Sequence, residues 1–483
     1  MSRRAIALST IWQLLSQILT AMLSMLTVKL VAIGLTKPLA GLYNSAYGSL
    51  QLFGILADFG LYAVAVREVS KAADRDRALG ALIVLRSAIL FASLGAALLL
   101  AWNVPGWRGT PLPTAITIAA LVPLFTLLAG MLRAMFQVQF RMELVFVAEV
   151  AQRILTTALI ALLVWNGARG SADERDLYAF LFVGGVGGFL LLLLSCGFAR
   201  RSLKAAPVFD GTLALRFLKA AAPYGFAYLA IACYRQLDIA LIALLRPDFE
   251  LQNASYGFVV RITDMAFVIP TFLLNSVLPI LNDPATTRDR QASLAGSTLL
   301  ALIGICGTGG IVSLLWARPL LALLTTPAYL SSPGNPGADT ALALLALPIV
   351  LNSVILYAFY ALLTRHAWRP LVAVLGCGAA LSIGMNLWLI PSMGFLGAAV
   401  TSVAVHLLLA AALLPLSLRH LPLRFSASQA RAWAGLLATA ALLTWALRPL
   451  LTDDLLTLTA GALLVGGLAL AARLLGLLRG RSL

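Results

Sequence analysis

Residues 79–101 read LGALIVLRSAILFASLGAALLLA, an apolar run of 23 residues with a single charged side chain, Arg86. A membrane-spanning α-helix needs about 20 such residues, because each residue advances the helix by about 1.5 Å through a hydrocarbon layer about 30 Å thick. Comparable runs recur along the chain and predict fourteen spans, at 8–35, 40–66, 79–101, 115–136, 143–165, 177–198, 221–245, 252–280, 293–316, 340–363, 371–390, 396–418, 432–449 and 456–476. The sequence therefore predicts an all-α polytopic membrane protein.

The composition supports this class, since 61% of the 483 residues are hydrophobic and only 11% are charged. Fourteen spans leave on the order of ten residues for each connector, which excludes a soluble catalytic domain. The net charge of +16 comes from small basic clusters between apolar runs, so membrane topology explains it better than binding to nucleic acid. The four cysteines lie in separate apolar runs and the three histidines form no ligand motif, so we expect no metal and no cofactor.

The connectors on one side of the predicted membrane carry 23 Lys and Arg residues, whereas those on the other side carry seven. Basic connectors stay in the cytoplasm, so the asymmetry predicts a protein of the cell inner membrane with both termini cytoplasmic. The Ser2-Arg3-Arg4 opening is similar to that of a signal peptide, but its apolar run is too long and lacks a cleavage site. We expect it to remain as the first span.

The longest cytoplasmic connector, 199–220, divides the first twelve spans into two sets of six. This predicts a six-helix lobe at 1–203, a linker at 204–220, a second six-helix lobe at 221–420 and two further transmembrane helices at 421–483. Spans 2 and 8 open with related patterns, Gly41-Leu42-Tyr43 and Ala254-Ser255-Tyr256, which is weak internal symmetry. Transporters often consist of such repeats, with the substrate site near mid-membrane between the two halves.

Ionisable side chains inside spans are costly, so each is a functional candidate. Arg261 lies about 14 Å from the outer end of its helix and is the first candidate for a substrate contact. Close pairs spaced i,i+3 or i,i+4 have an alternative explanation, because the two charges of a pair can neutralise each other. For Asp58 and Arg86, on successive spans, a structural pair across the helices is favoured. The predicted substrate contacts are Arg261, Arg235, Arg153 and Arg86, and the acids able to couple an ion are Asp264, Asp238, Glu149 and Asp58.

Span 1 carries a polar face that includes Gln13, Ser16, Gln17, Thr20 and Thr27 at helical spacing. Small polar residues can serve helix packing alone, but two glutamines fit that explanation less well. We therefore predict that this face meets water or ligand, with Gln13 and Gln17 as substrate contacts.

Several motifs resemble those of the Wzx-like polysaccharide flippases of the multidrug/oligosaccharidyl-lipid/polysaccharide exporter superfamily. They include Gly41-Leu42-Tyr43, Ala57-Asp58-Phe59-Gly60-Leu61 and Phe140-Arg141-Met142, and the most specific is the run from Asn386 to Ala399 with a short outer turn at Ile390-Pro391 and Gly394. The resemblance implies two six-helix lobes in a V, alternating access, and transfer of an undecaprenyl-diphosphate-linked oligosaccharide from the inner to the outer leaflet. It also implies membrane lipid and polysaccharide polymerase or export machinery as partners.

The related lipid II flippases have an arginine in the eighth span before a proline-containing segment, and Arg261 followed by Pro270 matches that pattern. Their arginine-rich first span has no counterpart here, where Gln13 and Gln17 stand instead. This difference argues against lipid II as the cargo.

Two alternatives stay open. A drug or cation antiporter of the same superfamily shares the topology, but its cavity needs mainly acidic or aromatic residues. A membrane-embedded glycan polymerase or ligase needs a large outer loop with catalytic groups, and the longest outer connector, 317–339, has no arrangement of base and nucleophile.

Overall fold

The computed structural model describes residues 3–61, 74–139, 141–200, 208–266, 268–281, 286–451 and 453–474. Within these ranges the chain forms seventeen α-helices and no β-strand. The helices are α1 (Arg3–Gly34), α2 (Lys37–Asp58), α3 (Arg75–Asn103), α4 (Leu112–Ala119), α5 (Leu121–Val138), α6 (Met142–Trp165), α7 (Glu174–Ala199), α8 (Gly211–Leu245), α9 (Phe249–Ala266), α10 (Val268–Leu281), α11 (Arg288–Leu315), α12 (Ala317–Leu324), α13 (Ala338–Thr364), α14 (Trp368–Met393), α15 (Phe395–His420), α16 (Ala427–Leu447) and α17 (Asp454–Leu474).

Among the described residues, eleven helical segments are long and apolar enough to cross a membrane. They confirm the predicted class, an all-α protein that spans the membrane many times. Helix α2, the pair α9 and α10, and helix α17 coincide with the three remaining predicted spans. The helices are thus consistent with fourteen spans, and that number stays a prediction.

The chain packs into two compact units, residues 1–257 and 258–483. In the first unit, α1 lies along α6, α2 packs against α3 and α8, and α7 covers α5 and α6. Helix α2 approaches α8 closely because Gly48 faces Ile239, where a Cβ atom on residue 48 would come within 2.4 Å of the isoleucine side chain. The predicted division into lobes at 203 and 221 stays a prediction.

In the second unit, α13 packs between α11 and α15, and α14 forms a hairpin with α15. Helix α16 lies on α11, where the indole of Trp433 fills the notch left by Gly304. Trp316, which is 1% exposed, donates a hydrogen bond from its indole N–H to the carbonyl oxygen of Thr444 at 2.7 Å. The two C-terminal helices, α16 and α17, therefore pack against the rest of the second unit around buried aromatic side chains.

Several helix ends differ from the predicted spans. Span 2 was predicted to reach residue 66, but α2 ends at Asp58 because Phe59 and Gly60 adopt left-handed conformations (φ 39° and 68°). Residues 62–66 lie outside the described residues. Helix α8 begins at Gly211, ten residues before the predicted span, because the Asp210 side chain caps its first turn.

Prolines also act differently from expectation. Span 8 is formed by two helices, α9 and α10, and Pro270 lies in the first turn of α10. The outer turn predicted at Ile390-Pro391 is helical, since α14 continues to Met393. The chain reverses instead at Gly394, whose φ of 59° favours glycine.

Candidate functional site

An ion pair joins α3 to the end of α2. Only 4% of the Arg86 side chain is exposed, and its guanidinium donates to the carboxylate of Asp58. The sequence indicated this pairing across successive helices, and the structure contains it. A guanidinium that is buried and neutralised in this way presents little surface to a ligand. The geometry favours a structural role for the pair.

A second ionic group lies where α1, α5 and α6 meet. One carboxylate oxygen of Glu149 accepts a hydrogen bond from Arg133 on α5, and the other accepts one from the hydroxyl of Ser16 on α1, both at 2.6 Å. Spacing alone favours Arg153, one turn further along α6, as the partner of this acid. The carboxylate is shared between two other helices, and the Arg153 side chain is half-buried.

The sequence did not single out Arg133 as a site residue, because its position near a predicted cytoplasmic connector was enough to explain its charge. It lies six residues before residue 139, and Glu149 lies eight residues after residue 141. Two opposite charges at similar depths on helices joined by so short a turn could have predicted an ion pair. Only the packing of the helices shows that the two side chains meet.

The polar face of α1 is partly used for packing. Ser16 binds Glu149, and the hydroxyl of Thr27 lies 3.0 Å from the hydroxyl of Thr157 on α6. The expectation that this whole face meets water or ligand is therefore wrong for Ser16 and Thr27, which are buried against α6. Gln13 and Gln17 belong to the same face and are half-buried.

Asp238 is a buried acid on α8, with 6% of the residue exposed. The hydroxyl of Tyr256 on α9 donates to one carboxylate oxygen, and the main-chain N–H of Ile239 donates to the other at 3.1 Å. Arg235, one turn earlier on α8, is half-buried. The sequence patterns singled out Tyr256 only as part of a repeated motif, and its contact with the acid was not anticipated.

A group of buried polar side chains lies beside this acid. The amide nitrogen of Asn253 on α9 donates to the hydroxyl of Ser45 and to the carbonyl oxygen of Ile239, both at 2.9 Å. Asn44 donates in turn to the carbonyl oxygen of Asn253 at 3.1 Å. These hydrogen bonds join α9 to both α2 and α8. No motif in the sequence predicted them.

Arg261 and Asp264 lie on α9 in the second unit, spaced i,i+3, and both residues are half-buried. The other predicted substrate and ion-coupling residues belong to the first unit. The described part of the chain contains no group of three His, Cys, Asp or Glu side chains able to hold a metal ion.

Outside the membrane spans, Asp210 links the starts of two helices. Its carboxylate accepts hydrogen bonds from the hydroxyl of Thr212 and from the N–H of Leu213, and Arg77 at the start of α3 donates to it at 2.9 Å. These donors favour the ionised form and lower the pKa of Asp210 to about 2.

A family model described as "Polysaccharide biosynthesis protein" matches residues 6–283, from α1 to the end of α10. Among curated protein sequences no match was found.

Solved structures share the fold over most of the chain. The lipid II flippase MurJ in an inward closed conformation is 12% identical, with a TM-score of 0.69 over 97% of this chain and 99% of that one. A multidrug resistance MATE family transporter of the MOP superfamily, inward-facing, is 12% identical, with a TM-score of 0.64 over 83% and 94%. A MOP superfamily transporter from Pyrococcus furiosus is 12% identical, with a TM-score of 0.57 over 86% and 95%. The predicted fold class is confirmed.

Proposed function

Because the chain belongs to the polysaccharide biosynthesis protein family, the family of the Wzx-like flippases that its motifs resemble, we propose that it transfers undecaprenyl-diphosphate-linked oligosaccharide units across the inner membrane by alternating access. The units are those of O-antigen, capsule or exopolysaccharide. The observation that carries the proposal is the family match over residues 6–283 on a fold that a lipid flippase shares. In this proposal the protein is a transporter that catalyses no reaction.

The residues proposed to meet the diphosphate are the half-buried arginines Arg261, Arg235 and Arg153. A guanidinium offers a planar fork of donors that matches phosphate oxygens, and the contact is stronger where water is excluded. Gln13 and Gln17 supply neutral donors and acceptors from α1. Arg86, although part of the predicted set, is better explained by its buried pair with Asp58.

For coupling to an ion we propose the acids Asp238, Glu149 and Asp264. Burial penalises a charged carboxylate, so a proton or a cation that binds there changes the stability of the helix contacts around it. Asp238 and Glu149 both bridge helices in the first unit, which supports this role.

The basic connectors support a cytoplasmic location for both termini in the inner membrane. The cargo then meets the protein from the cytoplasmic leaflet. Polysaccharide polymerase or export machinery would accept it on the other side, and we propose such machinery as the functional partner.

The proposal is tested in a strain that lacks this gene. We expect undecaprenyl-diphosphate-linked oligosaccharide to accumulate and to disappear when the gene is restored, measured by mass spectrometry of the lipid extract. Its sugars should be protected from an oxidant that does not cross the membrane, applied to spheroplasts before extraction, which places them on the cytoplasmic side. A deletion strain that still makes normal amounts of surface polysaccharide from complete oligosaccharide units would contradict the proposal.

The fold is also shared with MATE family transporters, so a drug or cation antiporter is the second candidate. If the protein were such an antiporter, deletion of its gene would raise the sensitivity of the cells to cationic drugs and leave the amount of lipid-linked intermediates unchanged. Loss of a polymerase or ligase would instead leave complete units on the outer leaflet.

A further inference from the structure

Arg133 lies at the same end of the first unit as the connector between α5 and α6. It is five residues from the end of α5, and its partner Glu149 is seven residues from the start of α6. At about 1.5 Å per residue, both lie roughly 7–10 Å inside the helix ends. Helix α6, with 24 residues, is about 36 Å long and exceeds a hydrocarbon layer of about 30 Å by about 3 Å at each end, so this depth is roughly 4–7 Å below the boundary between head groups and acyl chains.

The guanidinium of Arg133 has more donors than Glu149 can accept. Of its five N–H groups, one on Nη1 is given to Oε1 of Glu149. The other oxygen of that carboxylate is taken by Ser16. Within the residues that the structure describes, the buried Nε atom of Arg133 has no hydrogen-bond partner. The ion pair thus leaves donors unused, and those on the exposed part of the side chain would suit a partner with several oxygens.

The side chain is also within reach of a ligand, since 34% of Arg133 is exposed, compared with 4% of Arg86. Glu149, with 16% exposed, holds one nitrogen of the guanidinium, and 34% of the Arg133 side chain stays exposed.

The surroundings suit the head group of a glycolipid. The half-buried amides of Gln13 and Gln17 flank Ser16 on α1, and the half-buried Arg153 lies one turn beyond Glu149 on α6. The rings of Trp12 and Phe146 pack at a centroid distance of 4.9 Å next to this group. The ionised side chains Arg133, Glu149 and Arg153 together carry one net positive charge.

We propose that Arg133 is a substrate-binding residue for the diphosphate of a polyprenyl-diphosphate glycolipid, and that Glu149 and Ser16 are positioning residues that orient its guanidinium. The inference rests on the proposed function and adds to it a contact near the end of the first unit that carries the connector between α5 and α6, just inside the head-group boundary.

The test measures binding of undecaprenyl diphosphate to the full-length protein in nanodiscs, with undecaprenyl monophosphate and inorganic diphosphate as further probes. We expect Arg133→Gln to weaken undecaprenyl diphosphate binding on the order of tenfold to a hundredfold, the loss typical of a charged hydrogen-bonding partner. Arg133→Lys keeps the ion pair with Glu149 but lacks the planar fork, so we expect an intermediate loss. Arg246→Gln, which removes a similar arginine–aspartate pair in a connector, is the matched control and should bind like wild type.

The double variant Arg133→Gln/Glu149→Gln separates binding from charge balance. If Arg133 meets the diphosphate, the double variant stays as weak as Arg133→Gln, and Glu149→Gln alone costs less. Wild-type affinity in the double variant would mean that Arg133 only neutralises Glu149, and wild-type affinity in a folded Arg133→Gln protein would overturn the inference directly. A wild-type protein that binds none of the lipid probes would contradict the proposed function itself. Binding of inorganic diphosphate as strongly as the lipid would show an anion site that does not recognise the cargo, and would also overturn the inference.

Discussion

Asn44 on α2 donates a hydrogen bond to the carbonyl oxygen of Asn253 on α9, although 209 residues separate the two in the sequence. Asn253 is fully buried, and its own amide binds Ser45 and Ile239, so one side chain connects three helices. Buried amide N–H groups that find acceptors in this way make a contact specific, because another arrangement would leave these donors without partners.

Replacing this side chain should loosen the first unit. We expect Asn253→Ala to lower stability by about 1–3 kcal/mol, because the hydroxyl of Ser45 and the carbonyl of Ile239 lose a donor inside the protein. The measurement is thermal unfolding in detergent. Asn103→Ala removes an exposed asparagine at the end of α3 and serves as the control, with little expected change. Equal melting temperatures for the two variants would contradict the importance of the contact.

Helix α2 offers a matched pair of glycines. A Cβ atom on Gly41 would lie 1.7 Å from the carbonyl oxygen of Glu250, whereas one on Gly54 would meet nothing within 4 Å. We expect Gly41→Ala to destabilise the protein by roughly 2–4 kcal/mol, since a main-chain atom must move. Gly54→Ala should be neutral or stabilising by up to about 1 kcal/mol through helix propensity. Melting temperatures in detergent decide the matter, and a tolerated Gly41→Ala would show that α2 does not pack as described.

Two arginine–aspartate pairs on α3 differ in burial. Arg86→Gln leaves Asp58 without its buried partner and should cost roughly 2–4 kcal/mol. Arg77, 60% exposed and paired with Asp210, is the control, and Arg77→Gln should change stability little. Adding Asp58→Asn to Arg86→Gln should recover part of the loss in thermal unfolding. No recovery would mean that the two charges act independently.

Arg261 is the arginine proposed nearest to mid-membrane. We expect Arg261→Ala to abolish export of the lipid-linked oligosaccharide while the protein remains in the membrane, and Arg261→Lys to retain part of the activity. Complementation of the deletion strain, with the amount of protein in membranes measured alongside, provides the readout. Arg318→Ala, at the start of α12 in the same unit, is the control. Wild-type export by Arg261→Ala would remove this residue from the substrate site.

The stabilising effect of Asp210 should depend on pH only in acid. Its pKa is lowered from 3.8 to about 2, so its contribution is complete above about pH 4 and is lost as the pH falls through about 2. Asp210→Ala removes the cap and the bond to Arg77, and we expect the resulting drop in melting temperature to be constant between pH 6 and 8. A drop that varies across that range would indicate another titrating group.

The sequence was sufficient for the membrane class and for most helices, because apolar runs of about 20 residues have few alternatives in a bilayer. It also indicated the Arg86–Asp58 pair, since the two residues lie at similar depths on successive spans. Helix ends were less predictable. Nothing in the residues after Asp58 announces a left-handed Phe59, whose conformation is fixed where the ring and carbonyl of Phe59 pack against Gly225.

At the candidate site, the sequence did not predict which side chains bind each other. Glu149 has Arg153 one turn away on its own helix, and local spacing favoured that pair. Its carboxylate is bound by Arg133 and Ser16 because α1 and α5 pack against α6 there, and such packing is a property of the folded unit. The contact between Asn44 and Asn253 had no local signal for the same reason.

Helices α14 and α15 meet at Gly394 alone, whose N–H bonds back to the carbonyl oxygen of Ile390. A connection of one residue contains no flexible loop. We therefore expect this site to resist proteolysis and to reject an inserted epitope, because either would require a helix end to unwind. We therefore expect the two helices to move together, so that a displacement of one helix at Gly394 is passed on to the other.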